Sequence, residues 1–306
     1  MKLVSYVTPE CECPAGCLGA LVDDELYSLG SVAHTMRELL DGGDEAMAAA
    51  REATAQLSDD ELLGPISEVT LLPPVSQPRK LFALAGNYAS HIRESSRVKA
   101  VQMGETKRST PRVFMKPPTT TLLGPQASIK LPEVGQFIDY EVELAVVIGQ
   151  RGKYIKAADA HQYVAGYTIL NDISERRLRI RERAETSEWD KFFDWLNGKW
   201  MDGFAPMGPC LVDRESMGDP EGLAIRLRIN GETMQEDNTG NMIWGIAEII
   251  EYISAILTLE PGDVISMGTP GGVGFARKPP RGLQPGDLVE AEIDGIGVLS
   301  NPVAAE

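Results

Sequence analysis

The stretch Asp139-Tyr140-Glu141-Val142-Glu143-Leu144-Ala145-Val146-Val147-Ile148-Gly149 joins an acidic start to an unbroken apolar run. Side chains alternate across a strand, so Glu141 and Glu143 share a face with Asp139, while Tyr140 and Val142 take the other. The run that follows reads as a buried strand. Carboxylates side by side at its start repel one another unless they are protonated or neutralised, and a hard divalent cation neutralises them economically. Taken alone, Glu-x-Glu fits a solvated strand face better than a metal site. The balance shifts at Asn171-Asp172-Ile173-Ser174, which ends the apolar stretch Tyr167–Leu170. An Asp at a strand end supplies a third oxygen from a neighbouring strand. Three carboxylates without His or Cys favour Mg²⁺, Mn²⁺ or Ca²⁺ over zinc or copper.

Outward from that strand, short β-branched runs recur at Glu141–Gly149, Ala224–Ile229, Asp263–Met267 and Asp287–Ile293, each bounded by turn residues. Pro261-Gly262-Asp263 and Pro285-Gly286-Asp287 each launch one of them. Within the larger, C-terminal part, long helical patterns occur only at Ala157–Val164 and Met242–Leu257. The expectation is an α+β, mostly β domain with peripheral helices rather than a βαβ alternation. Gly271-Gly272-Val273-Gly274 is followed by a proline-rich segment rather than a helix, so it is no dinucleotide loop. Upstream, residues 2–8 and 18–29 read as strands. Ser31 is placed as the cap of a helix reaching Leu40, and an alanine-rich helix is expected over Asp44–Leu57. The proline-rich Leu71–Pro78 reads as a linker, which places a small α+β domain at 1–72 and a large one at 73–306.

The 306 residues carry a formal charge of −16, which argues against a nucleic-acid backbone or an anionic membrane as partner. No apolar run approaches the ~20 residues of a membrane span, and Met1–Tyr6 lacks the apolar core of a secretory signal. The expected address is the cytoplasm. If the substrate is itself an anion, a bound cation with local Lys and Arg offsets the acidity. Cys11, Cys13 and Cys17 form a tight group at the tip of a hairpin, without a fourth ligand nearby, and are expected to be reduced surface thiols.

Beyond the carboxylates, Gly86-Asn87-Tyr88-Ala89-Ser90-His91-Ile92-Arg93-Glu94 places His91 and Glu94 on one face if it is helical. A carboxylate on one ring nitrogen fixes the tautomer and raises the basicity of the other, which suits a general base; alone, the pair fits an ordinary helix start as well. Lys116 and Lys199 are candidate cations beside a metal or an anion. Thr269, in Gly268-Thr269-Pro270, offers a hydroxyl and backbone N–H groups to a carboxylate. Gln235 lies in a polar segment after the Asn230-Gly231 turn.

Together these segments resemble the fumarylacetoacetate hydrolase family. The resemblance runs in one order from Gly86-Asn87-Tyr88…His91…Glu94 through Phe114…Lys116-Pro117, the Asp139–Gly149 strand and Asn171-Asp172-Ile173-Ser174. It continues through Lys199…Asp202, Asn230-Gly231-Glu232…Gln235 and Pro261-Gly262-Asp263…Gly268-Thr269-Pro270, covering about residues 80–303. It implies a mixed β-sandwich roll, a homodimer, and Mg²⁺ or Mn²⁺ held by Glu141, Glu143 and Asp172 (Ca²⁺ in crystals). It further implies catalytic roles for His91, Glu94 and Lys199, and substrate contacts from Lys116, Gln235 and Thr269. The implied substrate is a small anionic oxo acid. The first expectation is hydrolysis of a C–C bond in an acylpyruvate or 2,4-diketo acid, with His91 activating water and a metal-stabilised enolate leaving. Decarboxylation, isomerisation or tautomerisation of an oxo acid such as oxaloacetate is the alternative, and a non-catalytic binding protein the least favoured. The stretches Arg177–Gly198 and Ser95–Thr110 look longer than the family pattern and are expected at the mouth of the site, where loops select the substrate.

Overall fold

The computed structural model describes residues 1–8, 13–95 and 110–306. The apolar run forms the strand Val142–Ile148, buried at every residue. It pairs antiparallel with Val164–Asn171 on one edge and with Val264–Ser266 on the other. The sheet continues through Ala205–Asp213 to the N-terminal strands, and in the opposite direction through Leu81–Leu84 to Val113–Met115. A second, five-stranded sheet runs in the order Glu232–Asn238, Ala224–Ile229, Leu288–Ile293, Gly297–Ala305, Ile129–Leu131. Its strands do alternate: Ile225, Leu227 and Ile229, with Val289, Ala291 and Ile293, are buried while the residues between them are less so. Those side chains share one core with Val142, Leu144 and Val146 of the first sheet. The central strand lacks alternation because both of its faces are covered, whereas the second sheet keeps one face toward water. The architecture is α+β and mostly sheet, as expected.

The Pro-Gly-Asp turns launch the strands Val264–Ser266 and Leu288–Ile293. The C-terminal helix is Ile246–Ile256, with Ile246, Ile249, Ile250 and Ile253 buried at helical spacing. Three expectations shift. Thr35, not Ser31, caps the first helix: the amide of Glu38 donates to its hydroxyl at 3.2 Å, because residues 31–34 are used in a turn and His34 accepts a backbone bond from Leu18. The segment Ala157–Tyr163 is a 3₁₀ helix rather than an α-helix; at seven residues it winds tightly before the chain enters the next strand. Cys17 is disulfide-bonded rather than a reduced thiol, while Cys13 is free; Cys11 lies outside the described residues.

Hydrogen bonding runs across position 72, where a domain boundary was expected. Lys2–Val7 pairs antiparallel with Ala205–Asp213 and with Thr70–Leu72, so the N-terminal strands extend the sheet that carries the acidic residues. Among the described residues no helix is long and apolar enough to cross a membrane.

The sheet is tightest where Val164–Asn171 meets Ala205–Asp213. Gly166 pairs with Asp213, and a Cβ there would stand 2.2 Å from the carbonyl oxygen of Val212. A backbone neighbour within a ladder cannot move aside as a side-chain tip can. Gly166→Ala is predicted to cost about 1–3 kcal/mol of stability, read as a lower urea midpoint at unchanged m-value.

Candidate metal centre

The strand pairing that builds the core also gathers the acids. Val142 sits opposite Asn171, so Glu141 and Glu143 at the start of one strand face Asp172 at the end of its neighbour. The amide of Asp172 donates to the carbonyl of Glu141 at 2.9 Å. The side chain of Asn171 accepts from the Glu141 amide at 2.9 Å. One oxygen from each of the three carboxylates lies within 4.8 Å of the others, and all three residues are buried.

Three cations are set against them. Lys199 donates to Glu141 Oε2 at 2.7 Å and to Asp172 Oδ2 at 2.5 Å. Lys116, wholly buried, donates to Asp172 Oδ1 at 2.5 Å and to the Ile173 carbonyl at 3.1 Å. Arg176 bonds Asp139 Oδ2 at 2.9 Å and also reaches Glu141 Oε1. Burial pushes the Glu141 carboxyl up, but Arg176 and Lys199 outweigh it and hold it far below the usual carboxylate range. Lys199 goes the other way: burial disfavours its charge, yet Asp172 and Glu141 keep it above the normal lysine value. For Lys116 burial wins over Asp172, and its ammonium is lowered.

Glu143 is left over. Its Oε2 accepts from Ser266 Oγ at 2.6 Å and from the Gly268 amide at 2.8 Å, while Oε1 is buried without a partner among the described residues. Burial, then the charges of Asp172 and Glu141, push its carboxyl well above the usual range. A buried carboxylate oxygen with no donor among the described residues, beside two further carboxylates, matches the donor set of a hard cation. The residues fit a divalent cation bound through oxygen.

The remaining candidates surround this centre. His91 Nδ1 lies 3.0 Å from Glu94 Oε1 on the helix Ala89–Ser95. Glu94 Oε2 in turn accepts the Gly272 amide at 2.7 Å, which ties the pair to the loop after Thr269. His91, Glu141, Arg176, Lys199 and Thr269 line one narrow cavity of about 40 Å³. Gln235 does not reach it. Its Oε1 accepts from the Val142 amide at 3.0 Å, and its Nε2 donates to Thr269 Oγ1 at 2.8 Å and to the Pro270 carbonyl at 2.9 Å, so it positions Thr269. Lys116 also stays behind the wall, on Asp172.

Two participants carry no sequence-level assignment. Arg176 stands four residues after Asp172, a spacing whose meaning depends on the turn that folds it back onto Asp139 and Glu141. Trp195 belongs to the long Arg177–Gly198 stretch, which contains the helix Glu188–Asn197. The signal for that helix is local: Ser187 and Asp190 form a capping box. The segment 96–109, most of the second long stretch, lies outside the described residues.

Residues 80–304 match the family described as fumarylacetoacetate (FAA) hydrolase C-terminal, and the chain belongs to that family. It is 40% identical over 309 residues to oxaloacetate tautomerase FAHD2A, mitochondrial, of Bos taurus, which covers 99% of this chain and 91% of that protein. The fumarylacetoacetate hydrolase EaFAH of psychrophilic Exiguobacterium antarcticum is 30% identical, with a TM-score of 0.81 over 100% of both chains. Maleylpyruvate hydrolase of Sphingobium sp. SYK-6, solved with manganese(II) and pyruvate, is 26% identical, with a TM-score of 0.77 over 100% of this chain and 99% of that one.

The strained position of Glu143 gives a two-sided prediction for Glu143→Gln. Folded wild-type protein without metal keeps a proton on Glu143 at pH values where the unfolded chain has lost it. Its stability therefore falls as pH rises above the ordinary carboxylate value. The amide removes that fall, so the metal-free variant is predicted to be the more stable protein at pH 8. Its Mn²⁺ affinity is predicted to drop by at least about 100-fold, because a ligand is lost and not merely a supporting group. Thermal unfolding with EDTA and calorimetric Mn²⁺ titration check the two halves.

Proposed function

We propose that the chain catalyses metal-assisted keto–enol exchange of a small 2-oxo dicarboxylate, with oxaloacetate as the favoured substrate. The observation that carries this reading is the grouping at one small cavity: Glu141 of the carboxylate trio, His91 and Lys199 line it, and Lys199 also bonds Asp172. Among reactions open to such a site, the likeness to the bovine oxaloacetate tautomerase over nearly the whole chain favours enolisation. The oxygen-only donor set favours Mg²⁺ or Mn²⁺.

A divalent cation held by Glu141, Glu143 and Asp172 supplies electrophilic polarisation of the 2-oxo group. The protein supplies the proton traffic. With Nδ1–H donated to Glu94, His91 has Nε2 free to take a proton from C3. Lys199 uses two of its three N–H groups on Glu141 and Asp172 and offers the third as a hydrogen bond to the 2-oxo oxygen. That oxygen takes one proton from solvent while His91 returns the C3 proton to solvent, so no net proton is gained or lost. The backbone N–H of Thr269 holds the adjacent carboxylate; its hydroxyl is committed, accepting from Gln235 and donating to the Val142 carbonyl at 2.9 Å, and so fixes the residue in place. The working unit is a homodimer in the cytoplasm in this reading.

Hydrolysis of an acylpyruvate, the first expectation from the sequence, is the second reading. It is favoured by the likeness to maleylpyruvate hydrolase and requires His91 to activate water instead of a C–H bond. The two readings separate in one set of assays with Mg²⁺ and Mn²⁺: decay of oxaloacetate enol absorbance against pyruvate release from acetylpyruvate. Under the favoured reading, His91→Gln lowers the enol-decay rate about 10²–10⁴-fold with Mn²⁺ affinity unchanged. Full activity in that variant, or in excess EDTA, would sink it.

A further inference from the structure

Two clefts of opposite character open beside the metal centre, and Trp195 lines both. The helix Glu188–Asn197 brings Trp195 edge-on to Phe114, with ring centroids 5.2 Å apart, and into the inner cavity. One cleft, of about 490 Å³, includes Ile92, Val113, Phe114 and Phe192 in its wall. The other, of about 350 Å³, shares Arg176 with the inner cavity and is walled by Arg177, Arg179, Arg183 and Lys191, with Asp194 as its one carboxylate. In a chain of charge −16 such a concentration of cations needs a reason.

Most of these charges have one nearby. Arg176 is committed to Asp139 and Glu141. Arg183 holds Asp194 with two bonds of 2.6 and 2.7 Å, and Lys191 lies 2.5 Å from Glu188. Arg177 differs: among the described residues its guanidinium has no carboxylate partner and lies 5.0 Å over the Phe137 ring. Its backbone is fixed, because its amide donates to Glu175 Oε1 at 2.5 Å. The carboxylate nearest Arg179 is Glu182, at 3.9 Å and 92% exposed, a pairing of little energetic weight. Two guanidinium forks with spare donors therefore share a cleft that joins the metal centre through Arg176. A guanidinium fork matches a carboxylate in shape and charge.

We infer that Arg177 and Arg179 form a second anion subsite, which takes the far carboxylate of a dianionic 2-oxo acid whose 1-carboxylate and 2-oxo group lie at the metal centre. The inference rests on the oxo-acid reading above and extends it, because it makes the chain a selector of dicarboxylates and gives the Arg177–Gly198 stretch its role. The apolar cleft makes the opposite demand, for a substrate with a hydrocarbon tail.

The test is calorimetric titration of the Mn²⁺-loaded protein with oxalate and with 2-oxo acids of five to seven carbons, each dioate paired with its monocarboxylic counterpart. Wild type is expected to bind at least one dioate roughly tenfold or more tightly than its partner, the gain of a charge-assisted pair. R177Q/R179Q should bring that ratio near one with oxalate affinity unchanged, since oxalate has no chain to reach the cleft, and R177K/R179K should restore part of it. Equal affinity within every pair, tighter binding of the monocarboxylates, or a ratio untouched by R177Q/R179Q overturns the subsite while leaving the metal centre standing. Failure of oxalate to bind overturns the oxo-acid reading and the subsite with it.

Discussion

The contact of Glu141 and Glu143 with Asp172 is the constraint around which this protein is organised. Three carboxylates are drawn out of water at the point where two core strands meet. Removing even one isolated ion from water costs several kcal/mol, and like charges add to that cost. The surroundings read as compensation. Lys199 bridges two of the acids, Lys116 backs one from within the core, and Arg176 spans Asp139 and Glu141. The compensation stops at Glu143, whose second oxygen faces no donor among the described residues. A fold optimised for stability alone would have replaced that group, so the residual cost marks the position as kept for binding.

That constraint also explains why parts of the site were legible in sequence and parts were not. Glu141 and Glu143 declare themselves because strand alternation is a local rule, and the Pro-Gly-Asp turns do so for the same reason. His91 and Glu94 need only one turn of helix. Arg176 escapes because its meaning lies in a pairing of the short strands Ile138–Asp139 and Ser174–Glu175, which no local pattern announces. Gln235 looks from its loop like a residue free to meet a substrate, and the fold instead spends its whole amide on Val142, Thr269 and Pro270. Lys116 is legible as a cation, but its complete burial behind Asp172 is a tertiary fact. The N-terminal strands were read correctly as strands. Their union with the central sheet depends on Lys2–Val7 finding Ala205–Asp213 some two hundred residues away, a contact that only chain-wide packing decides.

The division between what local rules show and what packing shows follows the division of chemical labour. The carboxylates, the His–Glu pair and Lys199 sit on or against core strands, where rigidity holds reacting groups in register. The groups that would read the remainder of a substrate sit on the Arg177–Gly198 stretch, which rides outside the sheet on a capped helix. Under the proposed function, enolisation and C–C hydrolysis both place carbanion character at C3 beside a 2-oxo group, so the fixed part suits either. What distinguishes them is whether His91 meets a C–H bond or a water molecule, and that depends on how fully the substrate fills the space in front of the ring. The inner cavity, at about 40 Å³, is much smaller than the two clefts beside it. A substrate that lies across it leaves no nucleophile within reach, which favours proton transfer. One drawn outward into either neighbouring cleft leaves that space to water. The wall that selects the substrate also biases the reaction under the proposed function, and Trp195 is the side chain that lines all three spaces.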